Sequence, residues 1–156
     1  MNLHTGIPSP SWDKSIARLG GHVYQSSLWA RFQTELGRGV YYDHGQDWAW
    51  LGALRITRGG VRYLYIAYGP VLRGRGSKAA FDSILQAGRE LNVDFIRLEP
   101  TNNITMKQLR STGARKAADF QPRWHMVKSL AMSEEELRAQ MNATRRNEIN
   151  AAPKQG

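Results

Sequence analysis

The chain has 156 residues, 41% of them hydrophobic and 22% charged, a length that suits one compact domain and a balance that excludes a disordered polymer. It has no cysteine, which excludes disulfides and thiolate metal sites and agrees with a reducing, cytoplasmic setting. The formal charge of +9 favours polyanionic partners such as RNA, nucleotide diphosphates or anionic lipid head groups, without choosing among them.

The opening MNLHTGIPSPSWDK lacks the basic flank and unbroken apolar stretch of a signal peptide. No window approaches the ~20 apolar residues of a membrane span, so any membrane contact is expected to be peripheral. From Lys107 onward ten Lys and Arg stand against five Asp and Glu, and before it twelve stand against eight. The excess is spread along the chain, which predicts a broad cationic face and no separate basic tail.

Residues 1–21, with Pro8 and Pro10 and no periodicity, are expected to form a loosely held lead-in. His22-Val23-Tyr24-Gln25 reads as a short strand, after which Ser26 or Ser27 caps a helix over Leu28 to Leu36, with Leu28, Phe32 and Leu36 on one face and Gly37 as its stop. Val40-Tyr41-Tyr42 opens extended structure. Trp48 to Thr57 and Val61 to Tyr68 read as the arms of a hairpin turning at Arg58-Gly59-Gly60, and Gly69-Pro70 ends the second arm because proline cannot donate to a ladder. An amphipathic helix follows over Ser77 to Leu91, with Phe81, Ile84, Leu85 and Gly88 inward.

Val93 to Leu98 reads as a buried strand closed by Glu99-Pro100, and Thr105 to Thr112 as a short helix ended by Gly113. Trp124 to Leu130 alternates as a strand. Ser133 and Glu136 form a capping box for a basic terminal helix from Glu134 to about Ala152. The order predicts an α+β domain over 22–132, a mixed, mostly antiparallel sheet flanked by helices, followed by a terminal segment over 133–156.

Several segments, in order, resemble the Fem family (FemABX) of peptidoglycan interpeptide-bridge aminoacyltransferases. They are Gln25-Ser26-x-x-Trp29-x-x-Phe32, then Tyr65-x-x-Tyr68-Gly69-Pro70-Val71-Leu72, then Phe95-Ile96-Arg97-Leu98-Glu99-Pro100 and Gln121-Pro122-Arg123-Trp124-His125. The terminal segment adds Ser133-x-Glu135-Glu136-Leu137, Met141 and Thr144-Arg145-Arg146-Asn147-x-Ile149. The resemblance spans residues 22 to 156 and implies the first of two acetyltransferase-like (GNAT) halves, an incomplete fold whose missing C-terminal half is a partner.

It further implies transfer of an amino acid from aminoacyl-tRNA, as co-substrate and with no cofactor, to the stem peptide of a lipid- or UDP-linked peptidoglycan precursor. The fragment is expected to be inactive by itself. The sequence departs from the family at Gln33, where members often carry a lysine associated with precursor phosphate.

The resemblance and the residue types single out Trp29, Tyr68, Gly69, Pro70, Arg123, Arg145 and Arg146 for substrate binding, with Glu99 as the one candidate acid or base. Each has a plainer reading: Glu99 as a strand-end hydrogen-bond acceptor, the arginine pair as a solvated helix face, and the aromatics as core. Arg73-Gly74-Arg75-Gly76-Ser77 before a helix reads either as a basic turn or as an anion cradle of the kind that holds coenzyme A. Counted from Arg73, however, it places Lys78 where the acetyltransferase loop has a small residue. Two other functions therefore stand beside the first, a coenzyme A-dependent N-acetyltransferase and a noncatalytic RNA-binding module in which Arg110, Arg115, Lys116 and Arg123 interleave with Phe120 and Trp124. The histidines have no metal-ligand spacing.

Overall fold

The computed structural model describes residues 3–74, 76–100, 104–122, 127–129 and 131–154, and the chain divides into two compact units, the first ending at Ala118 and the second beginning at Asp119. The first carries strands β1 (His4–Thr5), β2 (Val40–His44), β3 (Trp48–Ile56), β4 (Arg62–Ala67), β5 (Val71–Leu72) and β6 (Phe95–Glu99), with helices α1 (Pro10–Arg18), α2 (Ser27–Glu35), α3 (Ser77–Glu90) and α4 (Met106–Arg110). The second carries α5 (Glu134–Ala139) and α6 (Ala143–Ala151), the latter followed by a 3-10 turn over Ala152–Lys154.

The sheet runs β1-β2-β3-β4-β6, with β5 also paired to β3. All neighbours are antiparallel except β4 and β6, whose parallel register from Tyr63↔Phe95 to Ala67↔Glu99 is made possible by the crossover through α3. The hairpin of β3 and β4 turns where the sequence predicts. Side chains alternate across the sheet: Trp50, Leu64 and Ile66 pack with Phe81 and Ile84 of α3, whereas Ala49 and Leu51 pack with Trp12 and Ile16 of α1 and Ala30 of α2. A buried polar chain ties α3 to the sheet, in which Trp50 Nε1 donates to Ser83 at 2.9 Å and the Ser83 hydroxyl donates to Asp43 at 2.6 Å.

Four expectations need correction. Residues 10–18 of the expected lead-in form α1, because Trp12, Ile16 and Leu19 recur at helical spacing and bury one side, and Pro10 is tolerated in the first turn. Val23–Gln25 is a 3-10 turn, not a strand, with His22 Nδ1 accepting from the Tyr24 N–H. The terminal helix is broken in two, since Asn142 caps a new start by accepting from the Arg145 N–H at 2.9 Å. Leu85, expected inward on α3, lies on the exposed side, while Phe81, Ile84 and Gly88 are buried as expected. Trp124 to Met126 and Leu130 of the expected last strand lie outside the described residues, and Val127 to Ser129 carry no regular structure.

Candidate functional site

The shape of the site begins with a mismatch between β3 and β4. Their ladder runs from Ile56↔Arg62 to Ala53↔Tyr65 and resumes, through β5, at Ala49↔Val71, so residues 66–70 stand opposite only 50–52. Gln25, fully buried, fills the gap. Its Nε2 donates to Leu51 O at 2.9 Å and to Ala67 O at 2.7 Å, and its Oε1 accepts from Leu51 N–H at 2.8 Å. Trp12 Nε1 fixes the wedge by donating to the Gln25 carbonyl at 2.7 Å.

Beyond the wedge the chain turns sharply. Tyr68 takes the left-handed backbone (φ 52°), and a cis peptide joins Gly69 to Pro70. The left-handed angle thus falls on Tyr68 and not on the neighbouring glycine; Gly69 is required for space, since a Cβ there would stand 2.7 Å from the Gln25 amide nitrogen. Gly69 and Pro70 are buried, and Tyr68 is half-buried. His22 stacks on its ring at 4.2 Å, and Tyr24 meets both Tyr68, at 5.3 Å, and Trp29, at 4.3 Å. Trp29, Tyr68, Gly69 and Pro70 thus belong to one aromatic-lined edge.

Glu99 ends β6 beside the same turn. It accepts from the Tyr65 hydroxyl at 2.5 Å, and Arg55 lies 4.5 Å over the Tyr65 ring. Burial raises the Tyr68 phenol above its ordinary pKa, with Tyr24 and Glu99 adding to the effect, so the group stays protonated at neutral pH. Strand β6 is not buried on both faces as the sequence suggested. Ile96 and Leu98 face α3, while Phe95, Arg97 and Glu99 share the other face, an alternation legible in the sequence itself.

Ligands of open sheets with parallel strands gather at the strands' carboxyl ends, and here those ends are Ala67-Tyr68 and Glu99-Pro100. The N-terminus of α3 lies at the same end, by way of β5 and Arg73, whose N–H donates to Asp47 O at 2.8 Å. Gly76 precedes the helix without a side-chain cap, and a Cβ there would stand 3.1 Å from Asp47 O. Counting the acetyltransferase loop from Val71 instead of Arg73 puts Gly74 and Gly76 at its two small positions, with Val71 in place of the usual Gln or Arg. Arg75 lies outside the described residues.

A second polar group lies at the far end of α2. Gln33 is fully buried; its Oε1 accepts from Arg38 at 2.8 Å, and its Nε2 has no acceptor among the described residues. Burial lowers the Arg38 pKa, nearby Arg55 lowers it further, and Tyr63 opposes the shift. The sequence reading places Gln25 and Tyr65 only within predicted strands and segments resembling the Fem family, and Gln33 only as a departure from it; it gives none of them a role in the site, and Arg38 and Arg55 it does not single out. Only the tyrosine had a signal, its alternation with Leu64 and Ile66.

Arg123 lies outside the described residues. Arg145 and Arg146 belong to the second unit, where Arg145 pairs with Glu148 at 2.5 Å and Arg146 donates to Met141 O at 2.5 Å. Among the described residues no group of His, Asp and Glu is placed to hold a metal, and no helix is long and apolar enough to cross a membrane.

No family model matches the chain, and no curated protein matches it by sequence. Solved structures do. An acetyltransferase from Trypanosoma brucei matches with a TM-score of 0.53 at 19% identity, over 80% of this chain and 100% of its own. Glucosamine-6-phosphate N-acetyltransferase from Arabidopsis thaliana matches with a TM-score of 0.50 at 8% identity, over 80% and 99%. The shared feature is the fold: the chain has the mixed, mostly antiparallel α+β architecture of the GNAT acetyltransferases, as expected from the sequence. None of these matches singles out the Fem family.

Proposed function

We propose that this chain is an N-acyltransferase that takes its acyl group from a coenzyme A thioester. The observation that carries the reading is the β4-α3-β6 unit, which gathers Tyr68, Glu99 and the uncapped, glycine-preceded N-terminus of α3 at one end of the sheet. Backbone N–H groups at a helix N-terminus suit the pyrophosphate of such a donor. This favours the alternative function named from the sequence over aminoacyl-tRNA as donor.

The chemistry asks little of the protein. The acceptor nitrogen attacks the thioester carbonyl, the C–N bond forms, and collapse of the tetrahedral intermediate breaks the C–S bond. Glu99 is the carboxylate available to receive the proton lost by the amine. The Tyr68 phenol, kept protonated, supplies a proton to the departing thiolate. Orientation of the amine does the rest.

A second reading, aminoacyl transfer to an anionic peptidoglycan precursor, draws on the Fem-like segments and on one structural observation. The orphan Gln33 donor, with Arg38 and Arg55 beside it, suits phosphate oxygens even without the lysine that family members often carry at this position. Isothermal titration of the full chain separates the two. Saturable binding of acetyl-coenzyme A is expected on the first reading; binding of a nucleotide-linked stem-peptide precursor with indifference to acetyl-coenzyme A would replace it by the second. No saturable heat from either at millimolar ligand would refute both, and tight, salt-sensitive binding of unrelated RNAs would then favour the noncatalytic module.

A further inference from the structure

Helix α2 carries its most apolar stripe on the outside. Leu28, Phe32 and Leu36 share a stripe, as their spacing predicts, but the helix turns Ala30 and Gln33 to the sheet and leaves the stripe outside. Leu28 is 66% exposed, Phe32 47% and Leu36 49%, and Val23 of the preceding turn adds a fourth apolar side chain at 52%. Val23, Leu28 and Phe32, together with Tyr24, Trp29, Arg31 and Glu35, line a shallow groove of about 380 Å³. The arrangement is held firmly: Ser26 caps the helix by accepting from the Trp29 N–H, and the Asp13 carboxylate receives the Ser27 N–H at 2.7 Å and its hydroxyl.

We propose that this face docks the protein on an anionic lipid surface, with Val23, Leu28, Phe32 and Leu36 entering the interface and cationic side chains meeting the head groups. Three observations favour this occupant over a protein. Four side chains in a line fall far short of the 20–30 residues a side of an ordinary protein interface, whereas interfacial helices bind through one such narrow face. Tyr24 and Trp29, half-buried and ring-bodied with a polar tip, line the same groove and are of the residue types enriched at membrane interfaces. The chain's charge of +9 would oppose pairing with a second copy of itself but favours an anionic surface. The inference does not depend on which acyl donor the chain uses.

The test is cosedimentation of the full chain with vesicles of phosphatidylcholine containing phosphatidylglycerol, against phosphatidylcholine alone. Binding to the anionic vesicles is expected, weakening as salt shortens the Debye length from about 10 Å at 0.1 M to about 3 Å at 1 M. Leu28→Ser with Phe32→Ser is expected to lower the partition coefficient about tenfold or more. Ile56→Ser with Val61→Ser, which removes apolar side chains 63% and 40% exposed at the β3-β4 turn, is expected to leave it unchanged. If the first double variant does not fold, quenching of tryptophan emission by brominated lipid in the unaltered chain serves instead, and Trp29→Phe is expected to remove most of that quenching. The proposal is overturned if the unaltered chain ignores anionic vesicles, if the hairpin variant loses as much binding as the α2 variant, or if lipid quenching survives Trp29→Phe. It is equally overturned if the chain proves to be a dimer that Leu28→Ser with Phe32→Ser separates, without vesicle binding.

Discussion

Gln25 replaces a stretch of backbone ladder with one side-chain amide. Removing it in Gln25→Ala strands the Leu51 N–H and the Leu51 and Ala67 carbonyls in a dry interior, and each buried, unpaired group costs about 1–3 kcal/mol. A loss of roughly 3–5 kcal/mol is expected, read as a lower urea midpoint with little change in slope. Tyr68 calls for a different outcome. If it protonates the leaving group, Tyr68→Phe lowers kcat about a hundredfold while leaving stability near that of the parent. Its raised pKa also fixes the sign of a pH effect: the folded state keeps the proton where the unfolded state releases it. The contribution is therefore complete below the ordinary value of 10.0 and is lost as pH rises through the folded value. Thermal stability of the parent is expected to fall more steeply above pH 10 than that of Tyr68→Phe.

At the scale of elements, two helix starts are set by residues that periodicity alone does not weigh, a cap at α6 and a first-turn proline at α1. Asn142 divides the terminal segment, and Asn142→Ala is expected to destabilise α6 by about 1 kcal/mol, seen as faster amide exchange over residues 143–151. An asparagine three residues before an arginine pair was legible as a cap; the continuous polar run around it obscured the break. Helix α1 was legible too, through Trp12, Ile16 and Leu19, but two early prolines argued for a loop until Pro10 took the first-turn position that suits it. The hairpin and α3 were readable because their apolar patterns extend over many residues. The 3-10 turn at Val23–Gln25 was not, since what sets it is the burial of the Gln25 amide between two strands far along the chain. For the same reason the spacing of Leu28, Phe32 and Leu36 shows that they share a face of α2 but not which way it points: nothing local says that Gln33 is the buried residue.

Across the whole molecule, the features that propose acyl transfer all lie in the first unit, and they converge because a crossover helix returns the chain to a parallel strand. The candidate residues Tyr68, Gly69, Pro70 and Glu99 could be picked out from the chain as strand ends, but their meeting depends on non-local pairing that one-dimensional spacing does not encode. The donor site is the claim on which the rest of the function hangs. Its most direct test is an amide-resolved NMR titration of the full chain with acetyl-coenzyme A. The account predicts saturable shifts centred on Tyr68, Gly74, Gly76 and Ser77, with Glu99 responding and the β3-β4 turn at residues 58–60 silent. Shifts confined to other surfaces, or none at millimolar ligand, would contradict it.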